Sequence, residues 1–430
     1  MTLKILILSD TAWNTDNSFG NTFSNFFDNI KGLEIANIYC SYGVPKNNIV
    51  NNYFQITEKS LLINLMNKKI PSGRELTDLD CANHLNKTEN KLFNHARKKR
   101  LQMYFWVRDF IWKIGRWKSS ELQKFISDFG PDIVFQPIYY SNYLNDIALF
   151  IKEFTNVPMV GYIGDDIYTL QQFSLSPLYW INRFMIREKV KKVVGKCNYI
   201  YVVSDIQKKE YEKIFNIDCK ILRKGAEFSD KPRLKRVYEK PIKLIYTGNI
   251  YAGRWKVLSS IGEALEKINS NSLSAKLFIY TMTPMTKKMK KHLTMNENIV
   301  MMGGVPSSEI KHIQNEADIL VHVESFDLKE KLLVRQSFST KIIDYLTAAK
   351  CIFAVGDKSI ASIKYLAMND AAVIAFSEKA VYLKLKEIIE DNNKLLEYGE
   401  KAWNCGKHNH QIDSIQSKLY KDLHALAKES

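Results

Sequence analysis

No stretch of the sequence approaches the ~18 uninterrupted apolar residues that a membrane-crossing helix requires, so no such helix is expected. The apolar opening, Met1 to Asp10, is too short for a secretion signal and lacks a small-residue cleavage site; it reads as a first buried strand. The six cysteines are scattered, with no C-x-x-C pair and no zinc-like spacing, so neither disulfides nor a structural metal is expected and the cytoplasm is the natural compartment. Zinc-finger, KH and RRM signatures are missing too, which argues against a nucleic-acid partner despite a net charge of +16. That charge leaves an anionic membrane face and phosphate-bearing ligands as the partners to look for.

What is present is the composition of a soluble globular protein, 46% hydrophobic and 25% charged over 430 residues, long enough for more than one core. The recurring pattern is a short apolar run, a turn, then a longer stretch with helical spacing, which predicts parallel sheets with crossover helices. Strands are expected at Lys4–Leu8, Leu33–Tyr39, Asp132–Phe135, Pro158–Ile163, Tyr199–Val203 and Cys219–Leu222. The segment 228–241 carries two prolines and little apolar content, as a linker would. Beyond it strands are expected at Lys243–Thr247, Lys276–Tyr280, Ile299–Met301, Ile319–Val323, Cys351–Ala354 and Ala372–Ala375, with helices over 255–269, 306–316, 340–349 and 379–392. The fold expectation is therefore α/β: two Rossmann-like doubly wound domains, 1–228 and 242–405, joined by a 229–241 linker and facing across a cleft, with 406–430 a terminal helix returning towards the first domain. In such sheets ligands bind beyond the carboxyl ends of the strands.

Two segments suit a phosphate ligand there. In Thr247-Gly248-Asn249-Ile250-Tyr251-Ala252-Gly253-Arg254-Trp255-Lys256, a strand runs through two glycines into a helix. Glycine allows close backbone approach, and Arg254 or Lys256 could close on a diphosphate. A plain strand–helix turn carrying a surface arginine has the same letters. In the second segment Glu324 and Ser325 follow a strand, and Ser339 or Thr340 offers a cap for a helix starting near Lys341, with Asp344 one turn inside. Asp344 could take two ribose hydroxyls, or serve only as a first-turn acid favoured by the helix dipole.

A third segment, 96–118, alternates basic and aromatic residues. Arg97, Lys98, Lys99 and Arg100 with Trp106 and Trp112 have the make-up of a helix lying on an anionic membrane surface. An ordinary amphipathic helix burying Trp106, Phe110 and Trp112 is the other reading. Asp78-Leu79-Asp80 matches a metal-diphosphate D-x-D only by letter, and His84, His95 and His322 lack partners at metal-ligand spacing, so no metal is expected.

The order of these segments resembles the family 4 glycosyltransferases of the GT-B fold. Val203-Ser204-Asp205 and Ile221-Leu222-Arg223-Lys224-Gly225-Ala226-Glu227 are similar to the passage that closes that family's first domain. Thr247-Gly248-Asn249 through Arg254 is similar to its phosphate loop, and Ser339 through Leu346 with Cys351-Ile352-Phe353-Ala354 to its "SK-x-x-EYLA-x-G-x-PV" stretch. The resemblance implies retaining transfer from a nucleotide-diphosphate sugar to a glycan or lipid-linked acceptor, without a metal or other cofactor, in bacterial capsule or lipopolysaccharide synthesis. It implies that Arg254 and the Ser339–Lys341 amides hold the diphosphate, Asp344 the ribose, and Gly20 an N-terminal loop facing the phosphates. Three positions depart from the family pattern: Asn249 replaces the loop arginine, Gln336 the first of two glutamates, and Gly164 a histidine, leaving Asp165 as the nearest catalytic candidate. Those departures keep two rivals open, a subunit that binds donor without turnover and a nucleotide-sugar 2-epimerase of the same fold.

Overall fold

A computed structural model describes residues 2–76, 102–232 and 238–429, the side chains of 102–105 excepted. Arg97 to Arg100, the Asp78–Asp80 pair, His84, His95 and the centre of the linker lie outside the described residues.

Each half is a twisted sheet between helices. The first contains β1 (Leu3–Ser9), β2 (Leu33–Tyr39), β3 (Asn52–Ile56), β4 (Gly73–Glu75), β5 (Ile133–Pro137), β6 (Met159–Ile163), β7 (Tyr199–Val202) and β8 (Cys219–Ile221), in the order β4-β3-β2-β1-β5-β6-β7-β8. All neighbours are parallel except the edge strand β4, which runs antiparallel to β3. The second contains β9 (Ile242–Thr247), β10 (Ala275–Tyr280), β11 (Ile299–Gly303), β12 (Ile319–Val323), β13 (Cys351–Val355) and β14 (Val373–Ala375), all parallel, in the order β11-β10-β9-β12-β13-β14. Strands such as Cys351–Val355 are buried along their whole length because helices cover both faces, hence the unbroken apolar runs. Each of the twelve strand expectations coincides with an observed strand; β3 and β4 were not expected.

Both sheets reverse direction at one place, between β1 and β5 in the first and between β9 and β12 in the second. A crevice opens at such a reversal, beyond the strand ends.

The halves are joined twice. The chain crosses forward after Phe228 and returns near His410, where Ala226 N–H donates to the His410 carbonyl at 2.9 Å and Ile412 N–H to the Ala226 carbonyl at 3.0 Å. The last helix, Ile412–Lys428, then sets Leu419, Leu423 and Leu426 into the first half's core beside Leu3, Ile5 and Phe27.

Trp112 corrects the membrane-helix expectation. Its indole is 1% exposed, stacked on Tyr143 with ring centroids 4.3 Å apart, and donates from Nε1 to buried Glu58 at 3.0 Å. The periodicity of the Gln102–Ile114 helix turns Trp112 into the core and leaves Val107, Phe110 and Ile114 on the solvent side. Trp106 is half-buried.

Candidate donor cleft

At the crevice of the second sheet, β9 is followed by Gly248, which has φ of 137°, a conformation few other residues accept. The chain then passes Ala252 and Gly253, both with positive φ, before the helix Arg254–Ile268 begins. Neither glycine is interchangeable. A Cβ on Gly253 would meet Ser325 Oγ at 2.3 Å, and one on Gly248 would meet Lys341 Nζ at 1.7 Å. Gly248 is therefore the floor on which the Lys341 side chain lies.

Arg254 forks onto Glu324, Nε to Oε2 at 3.1 Å and Nη2 to Oε1 at 3.0 Å, and its Nη1 donates to Asn249 Oδ1 at 2.9 Å. Asn249 thus orients Arg254. Burial opposes the charge on Arg254, but the Glu324 carboxylate beside it holds the guanidinium above its ordinary range. Lys256 pairs with Asp327 at 2.6 Å on the surface.

Lys341 begins the short helix Lys341–Thr347, with its ammonium 5.2 Å from the Tyr246 ring centroid. Burial and the nearby Arg254 push its pKa down to about 8, against the pull of Glu324 and Asp344. No ion pair satisfies it among the described residues. Thr340 is the cap residue of this helix but makes no side-chain cap bond. Asp344 points to solvent within the cleft; burial by the surrounding walls raises its carboxyl, opposed by Lys224, Lys341 and Lys311. Lys224, from the first half, donates to Asn21 Oδ1 at 2.6 Å and is itself lowered by burial. His322, deep in β12, bonds Ser362 Oγ at 3.2 Å; burial, then Arg254 and Lys341, drive its pKa to about 3, so it is neutral.

The loop between the helices Leu328–Val334 and Lys341–Thr347 reaches across the cleft. Arg335 Nη2 donates to Glu210 Oε2 at 2.7 Å, Gln336 Nε2 to the same carboxylate at 2.6 Å, and Ser337 Oγ to Asp165 Oδ1 at 2.7 Å. Ser204 Oγ donates to the Gln336 carbonyl at 2.7 Å. Gln336 is fully buried against the first half and stands clear of open cleft. Gly20 is not in a loop: it sits in the first turn of the helix Ser18–Phe27, its amide bonded to Asn17 Oδ1 at 2.8 Å and its α-carbon pressed on the Asn14 backbone. Ser339 lies in the same cross-cleft loop as Ser337, one residue before the cap.

The matching crevice in the first sheet holds a cluster that sequence reading missed. Tyr143 O–H donates to Asp10 at 2.7 Å, Arg108 Nη1 lies 4.0 Å from the same carboxylate, and the Arg108 guanidinium stacks 4.8 Å from the Tyr143 ring. Asp10 is the first residue after β1, the one position where strand order alone could have flagged it. Ser141 Oγ and Asn145 Oδ1, beyond β5, are buried polar atoms without a hydrogen-bond partner among the described residues. A cavity of about 490 Å³ between Arg223, Lys364, Tyr365 and Lys418 touches neither crevice.

Chemically, the second crevice offers one cation held in place by an acid and one loosely held above a glycine floor. That arrangement suits an anion whose charge must be neutralised without a rigid cage. No group of three His, Cys, Asp or Glu side chains fit for a metal occurs among the described residues.

Neither a protein-family model nor a curated protein sequence matches the chain. Solved structures do. Sucrose-phosphate synthase from Thermosynechococcus elongatus aligns over 100% of both chains at 9% identity with a TM-score of 0.62. Anabaena HepE in complex with UDP aligns over 98% of this chain and 100% of its own, at 10% identity and a TM-score of 0.64. WaaG, a glycosyltransferase involved in lipopolysaccharide biosynthesis, aligns over 98% and 99% at 11% identity and a TM-score of 0.58. The chain has the GT-B glycosyltransferase fold.

Proposed function

We propose that this chain is a nucleotide-sugar-dependent glycosyltransferase. The reading rests on one observation: the second sheet's crevice is lined by a glycine floor, an oriented arginine and a lysine with no ion-pair partner among the described residues, where a diphosphate would lie in a fold whose solved examples include a UDP complex. The 242–405 half takes the donor and the half ending near 228 the acceptor, a glycan or lipid-linked glycan. The transfer is retaining and needs no metal, since Lys341 and Arg254 neutralise the departing diphosphate. Asp344 meets the ribose. Ser325, below Gly253, and the amides of Ser339 and Thr340 border the phosphates. Asp165, held beside the cross-cleft loop by Ser337, faces the acceptor. The setting is bacterial surface-polysaccharide synthesis, in the cytoplasm and on the inner face of the plasma membrane.

Titrating the protein with UDP, GDP, ADP and their sugar conjugates, then following donor consumption with and without acceptor, tests this. No affinity for any nucleoside diphosphate sinks it. Binding with no consumption favours a non-catalytic subunit, a reading that the engagement of Arg254 by Glu324 and of Gln336 by Glu210 supports.

A further inference from the structure

Beside the two crossings between the halves lies the cavity of about 490 Å³ that belongs to neither crevice, an ordinary size for a small-ligand site (roughly 300–1,000 Å³). Its walls come from both halves. Asp205 and Arg223 belong to the first, Lys364 and Tyr365 to the Ala361–Met368 helix of the second, and Lys418 and Asp422 to the last helix. Arg223 is its fixed cation, with a side chain only 10% exposed. Nε donates to the Val203 carbonyl at 2.7 Å and Nη2 to Asp205 Oδ2 at 3.0 Å, and the guanidinium lies 4.6 Å from the Phe338 ring centroid and 4.8 Å from that of Tyr365. Nη1 has no acceptor among the described residues. The acids of the cavity are already answered: Asp205 by Arg223, and Asp422 by Lys220 at 3.0 Å and the Tyr201 hydroxyl at 2.8 Å. Lys364 and Lys418, both exposed, pair with no acid among the described residues. The surplus charge is therefore positive, and it stands beside apolar Leu222, Met368 and Ile415.

We infer that this cavity is a second ligand site, for a small phosphorylated metabolite, and that its occupant steadies the cross-cleft loop 335–340. The cations come from three elements around one small volume, which suits a compact dianion better than an extended acidic segment. A phosphate carries about two negative charges near neutral pH; it takes the unengaged Nη1 of Arg223 and the lysine ammonium groups, while its carbon skeleton covers the apolar wall. Bonded to both halves at once, the occupant favours the arrangement in which both walls are within its reach. Arg223 carries the effect further. Its guanidinium lies against Phe338, whose ring packs edge-on to Tyr365 with centroids 5.0 Å apart. Phe338 follows Ser337, the residue bonded to Asp165, and stands three residues before Lys341. Holding Arg223 still thus holds the segment that joins the two sides of the cleft. The site does not depend on the transferase reading.

The test is calorimetric titration with inorganic phosphate, ribose 5-phosphate and AMP, for wild type, Lys364→Gln/Lys418→Gln and Lys341→Met. Wild type should bind ribose 5-phosphate or AMP more tightly than inorganic phosphate, the preferred one telling a sugar phosphate from a nucleotide. The double variant, altered only at exposed side chains, should fold normally and lose about tenfold or more in affinity, while Lys341→Met, in the donor cleft, should lose none. Amide hydrogen exchange over 335–340 should slow on ligand addition in wild type and in Lys341→Met, and stay unchanged in the double variant. No binding of any of the three compounds, or affinity untouched in the double variant, overturns the site. Binding lost in Lys341→Met moves the anion to the donor cleft and overturns it too. Inorganic phosphate bound as tightly as both organic phosphates overturns the ligand class, and binding without slowed exchange overturns the link to the loop. None of these readouts involves sugar transfer, so the transferase reading can fail while this one stands.

Discussion

Arg335 and Glu210, 125 positions apart in sequence and in opposite halves of the molecule, form a forked ion pair with Arg335 Nη2 at 2.7 Å from Glu210 Oε2. The pair is the centre of a cross-cleft seam that also engages Gln336, Ser337, Ser204 and Asp165. Because Arg335 belongs to the loop that leads to Lys341, the seam joins the fixing of the domain arrangement to the fixing of the phosphate-facing helix.

Removing Glu210 takes the carboxylate acceptor away from both the Arg335 guanidinium and the Gln336 Nε2 donor. Glu210→Ala should cost about 1–3 kcal/mol in urea unfolding and raise the radius of gyration in small-angle scattering. Unchanged dimensions and stability would show the seam to be incidental.

Lys341 gives a pH signature with two opposite slopes. Its folded pKa of about 8 lies below the ordinary lysine value, so its charge, and affinity for a nucleoside diphosphate, should decline as pH rises through 8. Stability should move the other way. Between the lowered folded pKa and the ordinary unfolded one, the unfolded chain binds more protons, so this group's contribution to stability rises with pH. Calorimetric titrations from neutral to alkaline pH should show the decline in wild type and a flat, weaker profile in Lys341→Met.

Gly248→Ala should harm binding more than folding. The new Cβ falls 1.7 Å from Lys341 Nζ, which can swing away, while the φ of 137° costs about 1 kcal/mol or more. The expected result is a modest drop in melting temperature with UDP affinity reduced to the level of Lys341→Met; full affinity would mean that the lysine does not work from that floor.

Trp112→Phe and Phe110→Ser distinguish the two faces of one helix. The first strands the buried Glu58 carboxyl, already raised by burial, without its indole donor and should cost about 1–3 kcal/mol by denaturant unfolding. The second, on an exposed side chain, should stay within about 0.5 kcal/mol.

The strands of both sheets were legible because helices cover both faces, leaving short apolar runs such as Ile319–Val323 bounded by turns. β4 escaped because Arg74 and Glu75 are polar and lie at the sheet's edge where solvent accepts them, and β3 because Asn52 and Gln55 interrupt its short apolar run. The helix 255–269 was displaced by a single residue from Arg254–Ile268. The second crevice draws on two short runs, 248–256 and 339–344, each of which can be read by itself in the sequence. The first cannot be read so, since Asp10, Arg108 and Tyr143 meet only when β1 and β5 pair. Tryptophan at 112 was ambiguous by letter, as a belt residue and a core residue have the same composition; only the helical phase decides.

The two crossings at Ala226 and Gln411 lie side by side, bridged backbone to backbone. Two bodies tethered at a pair of adjacent pins cannot twist or slide freely; they swing like a door on its jamb. Any breathing of this molecule is thereby reduced to nearly one coordinate, and a pair of distance labels set one in each half, remote from the Ala226–Gln411 bridge, would follow it.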